Sequence, residues 1–331
     1  MSIDTVVNQL SPIIYLHSDE RYFPSSIDYV LNQSVLVEDG KQISNKVTNR
    51  MLYNISKDKY NFRGGLPHTK LRIDYPKTLW PGQRNSLSTV PVYALVRENK
   101  DTYDIYYILI FPYNGPRRIL DVADAGAHYF DLEHLTVVVD KKTLKPIEVF
   151  YGAHGAEDGK WVPWKDVQTE DGHPIALAAL DGHGLYPEVG FAFRIGGLAN
   201  DDVDFGHRWD PPVERVYFRQ DPRFDVDKMG WMYFSGRMGY DGVSSASDKP
   251  FFYKGDPRTK LSTPTFHRLQ WSYLQTIGGI YVRIAIVAAI VLLGFYQKRV
   301  SRTTYFTVVV VVLAIVAKVA GNIISKFEEQ E

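Results

Sequence analysis

The residues best placed to do chemistry lie in the segment GAHYFDLEHLTVVVD, where His128, Asp131 and Glu133 lead into a β-branched run. If a strand has begun there, its two-residue period puts Asp131 and Glu133 on one face and His134 on the other. His128, three residues upstream of Asp131, can fold back from a loop onto that first face. Two carboxylates and an imidazole at one point accumulate negative charge, and hard divalent ions prefer such an oxygen-rich set. The expectation is a divalent metal ion, Mg or Ca rather than Zn, held by His128, Asp131 and Glu133, with Asp121 and Asp124 just upstream as further oxygen ligands. The same carboxylates could instead cap turns or pair with Arg117 and Arg118. Three more histidines stand in glycine-rich settings that suit a cleft: His154 in YGAHGAEDG, His183 in LDGHGLYPE and His207 in FGHRWDP. Taken singly, each suits a turn or a hydrogen bond better than a ligand role.

Several chemistries are excluded or unsupported. The chain has 0 cysteines, which removes thiolate nucleophiles, disulfides, zinc fingers and iron–sulfur clusters. No G-x-S-x-G elbow, P-loop, H-E-x-x-H or dinucleotide-binding G-x-G-x-x-G motif is present. Asp131 and Glu133 could act as an acid–base pair only if their pKa values were driven apart. Lys plus Arg and Asp plus Glu both number 38, so no net field draws the molecule to nucleic acid, and none is expected as a partner.

The elements that must position these groups read as strands. VPVYALV from Val90, YDIYYILIF from Tyr103, HLTVVVD from His134, PIEVFYG from Pro146 and RVYF from Arg215 are short, aromatic and β-branched, with turn residues between them. The first two flank the polar RENKDT and the next two flank DKKTLKP, so each pair is expected to form an antiparallel hairpin. One early helix is expected, from Ser26 to Asn32, with Ser25 or Ser26 as its cap. Residues 1–270 thus read as an all-β body, a β-sandwich with long loops. Its 22 Tyr and 17 Phe could line a sugar or lipid groove, although core packing is the commoner use of such residues.

Beyond residue 270 the composition turns aliphatic. Ile277–Tyr296 carries one charge, Arg283, and Thr303–Ile324 carries one, Lys318, near its far end. Helices of such length span a bilayer core of about 30 Å. Residues 271–331 are therefore expected to be a membrane anchor, a transmembrane α-helical hairpin joined by the basic QKRVSR, with the lipid bilayer as partner. That basic turn favours the cytoplasmic side, whereas the N-terminus lacks the basic and apolar pattern of a signal peptide that would export the body. Sidedness stays open, as do the sequons at Asn32 and Asn54, which matter only in a secretory lumen.

Six ordered blocks carry a resemblance: SPIIYLHSDERYFPSSIDYVL, FPYNGPRRIL, HYFDLEHLTVVVD, LDGHGLYPEVG, GHRWDP and WMYFSGRMG. Together they resemble the vacuolar protein sorting-associated protein 62 family. Leu132 stands where that family usually has Trp, and Met238 where Trp is common. The short core His128-x-x-Asp131-x-Glu133 is similar to that of the necrosis-inducing cytolysins, β-sandwich toxins that use those residue types to hold a divalent ion. The resemblance implies vacuolar or endosomal protein sorting without naming an activity. The expected function is a membrane-anchored, non-catalytic binding module for a lipid, glycan or protein ligand. Alternatives are a metal-dependent hydrolase of lipid or glycan headgroups and a structural membrane protein of a viral particle.

Overall fold

The segment TYDIYYILIFPYN is apolar or aromatic at almost every position, a pattern that fits a strand with both faces covered better than one facing water. The computed structural model, which describes residues 2–60, 71–119, 123–125, 127–153, 155–194 and 199–239, places it so. In chain order the elements begin with α1 (Ile3–Gln9), β1 (Ile13–Leu16), α2 (Ile27–Leu31), β2 (Val35–Glu38), β3 (Lys41–Ser44), α3 (Asn49–Tyr60) and β4 (Leu71–Asp74). They continue with β5 (Val92–Glu98), β6 (Thr102–Asn114), β7 (Arg117–Ile119), β8 (Ala123–Ala125), β9 (His128–Asp140), β10 (Pro146–Ala153) and β11 (Gly155–Pro163). The remainder are β12 (Thr169–Glu170), β13 (His173–Ala178), β14 (Leu185–Tyr186), β15 (Gly190–Arg194), β16 (Ala199–Val203), β17 (His207–Trp209), β18 (Val213–Val216), α4 (Val226–Met229) and β19 (Arg237–Met238).

Two units make up the chain. One comprises Met1–Arg117, Asp124–Gly190 and Asp202–Leu269, the other Arg118–Ala123, Phe191–Asp201 and Gln270–Glu331. Two-stranded ribbons pair β7 with β8 and β15 with β16. The first holds a six-stranded sheet ordered β11-β10-β9-β6-β5-β18, in which the expected β5–β6 and β9–β10 hairpins are antiparallel and β18 adds a parallel edge. A second sheet runs β12-β13-β1-β17, with β14 paired to β13, and a third runs β19-β4-β2-β3.

Alternation along β6 shows why the run is continuous. Ile105, Tyr107, Leu109 and Phe111 enter one core with Ile14 and Leu16 of β1, Ala176 and Ala178 of β13, Leu135 and Val137. Tyr106, Ile108 and Ile110 enter another core with α2, β4 and Trp231. Each fully buried large apolar side chain contributes about 1.5–3 kcal/mol relative to exposure. The hydroxyls that come with the tyrosines find acceptors: Tyr107 donates to Val7 O at 2.7 Å, Tyr151 to Ile175 O at 3.0 Å and Tyr75 to Pro112 O at 2.7 Å.

The early helix is where the cap residues put it, since Ser26 Oγ accepts from Tyr29 N at 3.2 Å. Sequence reading missed α1 and the longer α3. The body is β-rich with several sheets. Among the described residues no helix is long and apolar enough to cross a membrane; both expected spans, 277–296 and 303–324, lie outside the described residues.

Candidate functional site

Register in the central hairpin sets the site. β6 and β9 pair without a slip, so Phe111 faces Asp131 and Leu109 faces Glu133. Directly opposed residues project to the same side of a sheet. Asp131 and Glu133, 8% and 6% exposed, therefore share the face that carries Phe111 and Leu109, as the two-residue period required. His134 lies on the other face, near Tyr106 and Phe150.

Onto this face comes His183, from the turn between β13 and β14. Asp181 and His183 both hold left-handed backbone, at φ 58° and 55°, a region in which Asp and His are enriched among non-glycine residues. The turn is closed by His183 N donating to Ala179 O and Ala179 N donating to Gly184 O, both at 2.9 Å. The conformation lays the imidazole flat on Phe111, with ring centres 3.8 Å apart and planes 3° apart. His183 is fully buried, and its Nδ1 lies 3.0 Å from Asp131 Oδ2. Its Nε2 lies 3.7 Å from Glu20 Oε1 and has no hydrogen-bond partner.

Glu20 stands in the loop after β1, 2% exposed, and main-chain groups satisfy much of it. Oε1 accepts from Arg21 N and Tyr22 N at 2.9 and 2.8 Å, and Oε2 accepts from Asp181 N at 3.0 Å. Asp181 in turn takes a two-pronged pair from Arg21, Nε to Oδ1 at 3.2 Å and Nη2 to Oδ2 at 2.5 Å. Crowding locks the loops together, because a Cβ at Gly115 would sit 2.4 Å from the Tyr22 ring and 2.8 Å from Asp181 Cβ.

The electrostatics follow from this packing. Burial opposes charge on His183, but the flanking Asp131 and Glu20 outweigh it and hold the imidazole up at about 9. Burial likewise raises Glu20, yet His183 and the main-chain donors bring it below the usual carboxylate range. Asp181 is pushed up by burial despite Arg21. The cluster thus contains its own cations, an imidazolium inside and a guanidinium at its rim, where the Arg21 side chain is 60% exposed.

Of the residues expected from sequence, Asp131 and His183 come together and Glu133 shares their face. His128 begins β9, with Nδ1 3.2 Å from Tyr129 O. Phe130, at φ 52°, breaks the alternation before Asp131, and Tyr129 and Phe130 both enter the core across the sheet. His207 lies in β17, its Nε2 3.2 Å from Ser18 O. Asp121, His154 and the side chains of Asp124, Arg117 and Arg118 lie outside the described residues. Among the described residues no group of three or more His, Asp or Glu side chains is arranged to hold a metal ion. Sequence reading missed Glu20, Arg21 and Asp181; the available signal was their place in the ordered blocks LHSDERYFP and LDGHG.

Beside the cluster runs an aromatic surface. Tyr22 meets Tyr113 edge-on at 4.9 Å, and Trp80 stacks on Tyr113 at 3.7 Å and 8°. Tyr22 and Trp80 are half-buried.

Comparison with known proteins gives one family. The sequence model described as vacuolar protein sorting-associated protein 62 matches residues 1–216. No curated protein matches the chain. Among solved structures, one described as a toxin fold for microbial attack and plant defense has 12% identity over 80% of this chain and 91% of its own, with a TM-score of 0.42. NLPPya in complex with mannosamine has 12% identity over 80% and 90%, with a TM-score of 0.40. Necrosis and Ethylene inducing Protein 2 from the causal agent of cocoa's witches' broom disease has 12% identity over 63% and 72%, with a TM-score of 0.31.

Proposed function

The chain belongs to the vacuolar protein sorting-associated protein 62 family, and from that premise we propose that it is a non-catalytic binding module, a β-sandwich body tethered to a membrane by residues 271–331. The observation that carries this reading is the state of His183. A general acid or base works best with a pKa near the operating pH and within reach of its substrate. His183 is fully buried, bridged to Asp131 and held at about 9, so it acts as a fixed charge. With no cysteine and no nucleophile-elbow motif, the site is better suited to holding a ligand than to transforming one.

Its accessible edge is the Arg21–Asp181 pair beside Tyr22 and Trp80. The exposed Arg21 guanidinium, held by the buried Asp181, offers donors, and the half-buried rings offer apolar surface, a combination suited to a sugar or a polar headgroup. A divalent ion fits the oxygen chemistry of the buried carboxylates Asp131 and Glu133, and its binding there would compete with the His183 imidazolium for Asp131. Bound there, the ion would neutralise the carboxylates and offer a ligand oxygen a hard Lewis acid. The family connection supports a vacuolar or endosomal membrane as the place of action.

Calorimetric titration of the full chain with Ca²⁺ and Mg²⁺ tests this. One saturable site is expected, lost in Asp131→Asn with Glu133→Gln, and a ligand at a hundredfold its Kd should stabilise the fold by about 2.7 kcal/mol. A folded wild-type chain that takes up neither ion would leave the imidazolium as the cluster's cation and refute the metal-assisted reading.

A further inference from the structure

A cavity of about 320 Å³ is lined by Arg97, Glu98, Arg215, Arg223, Tyr217 and Asp221 among others. Arg215 lies on the edge strand β18, opposite Ala94 of β5 and so on the face covered by α1. The Arg215 side chain is 18% exposed. Its Nε and Nη1 are buried and have no hydrogen-bond partner. These two nitrogens carry three N–H groups, one and two respectively. A buried donor without an acceptor carries the cost of its desolvation, and a charged one more so; the ion pair that Asp4 makes with Nη2 leaves those donors unmet.

The surroundings restrict what that oxygen belongs to. Tyr217 lies under both neighbouring cations, with Arg223 4.2 Å and Arg215 5.4 Å from its ring centre, so the two guanidinium groups are held beside one aromatic face. Arg97 is anchored by Asp104 at 2.5 Å, and Arg223 by Asp221 at 2.8 Å. Asp4 of α1, half exposed, reaches over the cavity with Oδ1 3.3 Å from Arg215 Nη2 and Oδ2 3.8 Å from Arg223 Nη1. Both distances exceed a normal N–H···O bond. One carboxylate thus makes long ion pairs with two arginines, where an anion with several oxygens could bond both.

We infer that this cavity is an oxyanion site for a phosphate-bearing ligand, with Arg215 as the principal donor, Arg223 as the second, and Asp4 as an internal carboxylate that the phosphate displaces. Arginine suits this work because its planar fork meets phosphate oxygens with several bonds at once. The site draws on no residue of the Glu20–Asp131–His183 cluster.

Calorimetry of the full chain with inorganic phosphate, backed by ³¹P line broadening, tests the assignment. Saturable binding is expected, weakened about tenfold or more in Arg215→Gln, the loss of roughly one charge-assisted hydrogen bond. Asp4→Asn should tighten binding severalfold by removing the competing charge. Arg223→Gln, at an exposed position where folding is not at stake, should weaken it severalfold, and it decides the matter if Arg215→Gln does not fold. Vesicles of phosphatidylcholine with and without phosphatidic acid identify the source. A gain with phosphatidic acid that inorganic phosphate abolishes assigns a lipid headgroup, phosphate binding without such a gain assigns a soluble ligand, and both support the site. Absence of saturable phosphate binding, or binding unchanged in both arginine variants, overturns it.

Discussion

A buried imidazole between two carboxylates makes stability depend on pH in a direction that can be worked out. The folded His183 titrates at about 9, above its ordinary 6.5. Its contribution is therefore complete below pH 6.5 and is lost as pH rises through 9, amounting to about 3 kcal/mol at most. Denaturant unfolding of the full chain should show a stability decline between those limits, and His183→Gln should flatten it; a profile identical in the two proteins would place the charge elsewhere. Glu20 behaves oppositely: its depressed pKa gives stability that is present above about 4.5 and lost on acidification. Removing one partner of such a buried pair costs about 3–5 kcal/mol. Asp131→Asn, which keeps the shape and drops the charge, should show much of that loss in chemical denaturation while retaining native circular dichroism.

Elements were legible where period and cap chemistry are local. The hairpins β5–β6 and β9–β10 and the Ser26-capped α2 follow from alternation, polar turns and a hydroxyl before an apolar run. The face shared by Asp131 and Glu133 was legible for the same reason. His128 was not, because its position depends on the left-handed Phe130, and nothing in the residue type announces that conformation. Glu20 reached the site through a loop closed by the main-chain donor of residue 181, a separation no local pattern records. α3 was hidden likewise: its polar sequence is held by Trp231 N donating to Asn49 Oδ1 at 3.0 Å and Ser235 N donating to Ser56 Oγ at 2.9 Å. Gly230 allows that approach, since a Cβ there would meet the Asn49 carbonyl oxygen at 2.1 Å. Gly230→Ala should accordingly cost about 1–3 kcal/mol, as overpacking does, read as a lowered thermal midpoint.

At the scale of the whole molecule, a body of several sheets is joined to an aliphatic C-terminal sequence whose only charges in the proposed spans are Arg283 and Lys318. A bilayer anchor of this kind raises the effective concentration of a weak binding site against membrane-borne ligands. The full chain should stay with membranes through an alkaline carbonate wash, whereas a chain ending at residue 270 should be released into the supernatant. Retention of the shortened chain would mean that the body itself holds the membrane. The claim on which the binding reading most depends is that the buried carboxylates on β9 accept a hard cation. Anomalous diffraction from crystals soaked in Mn²⁺, an ion with the same preference for oxygen ligands, addresses it directly. The account predicts a strong peak within bonding distance of Asp131 and Glu133; a map featureless there, with His183 still bridging Asp131 and Glu20, would contradict it.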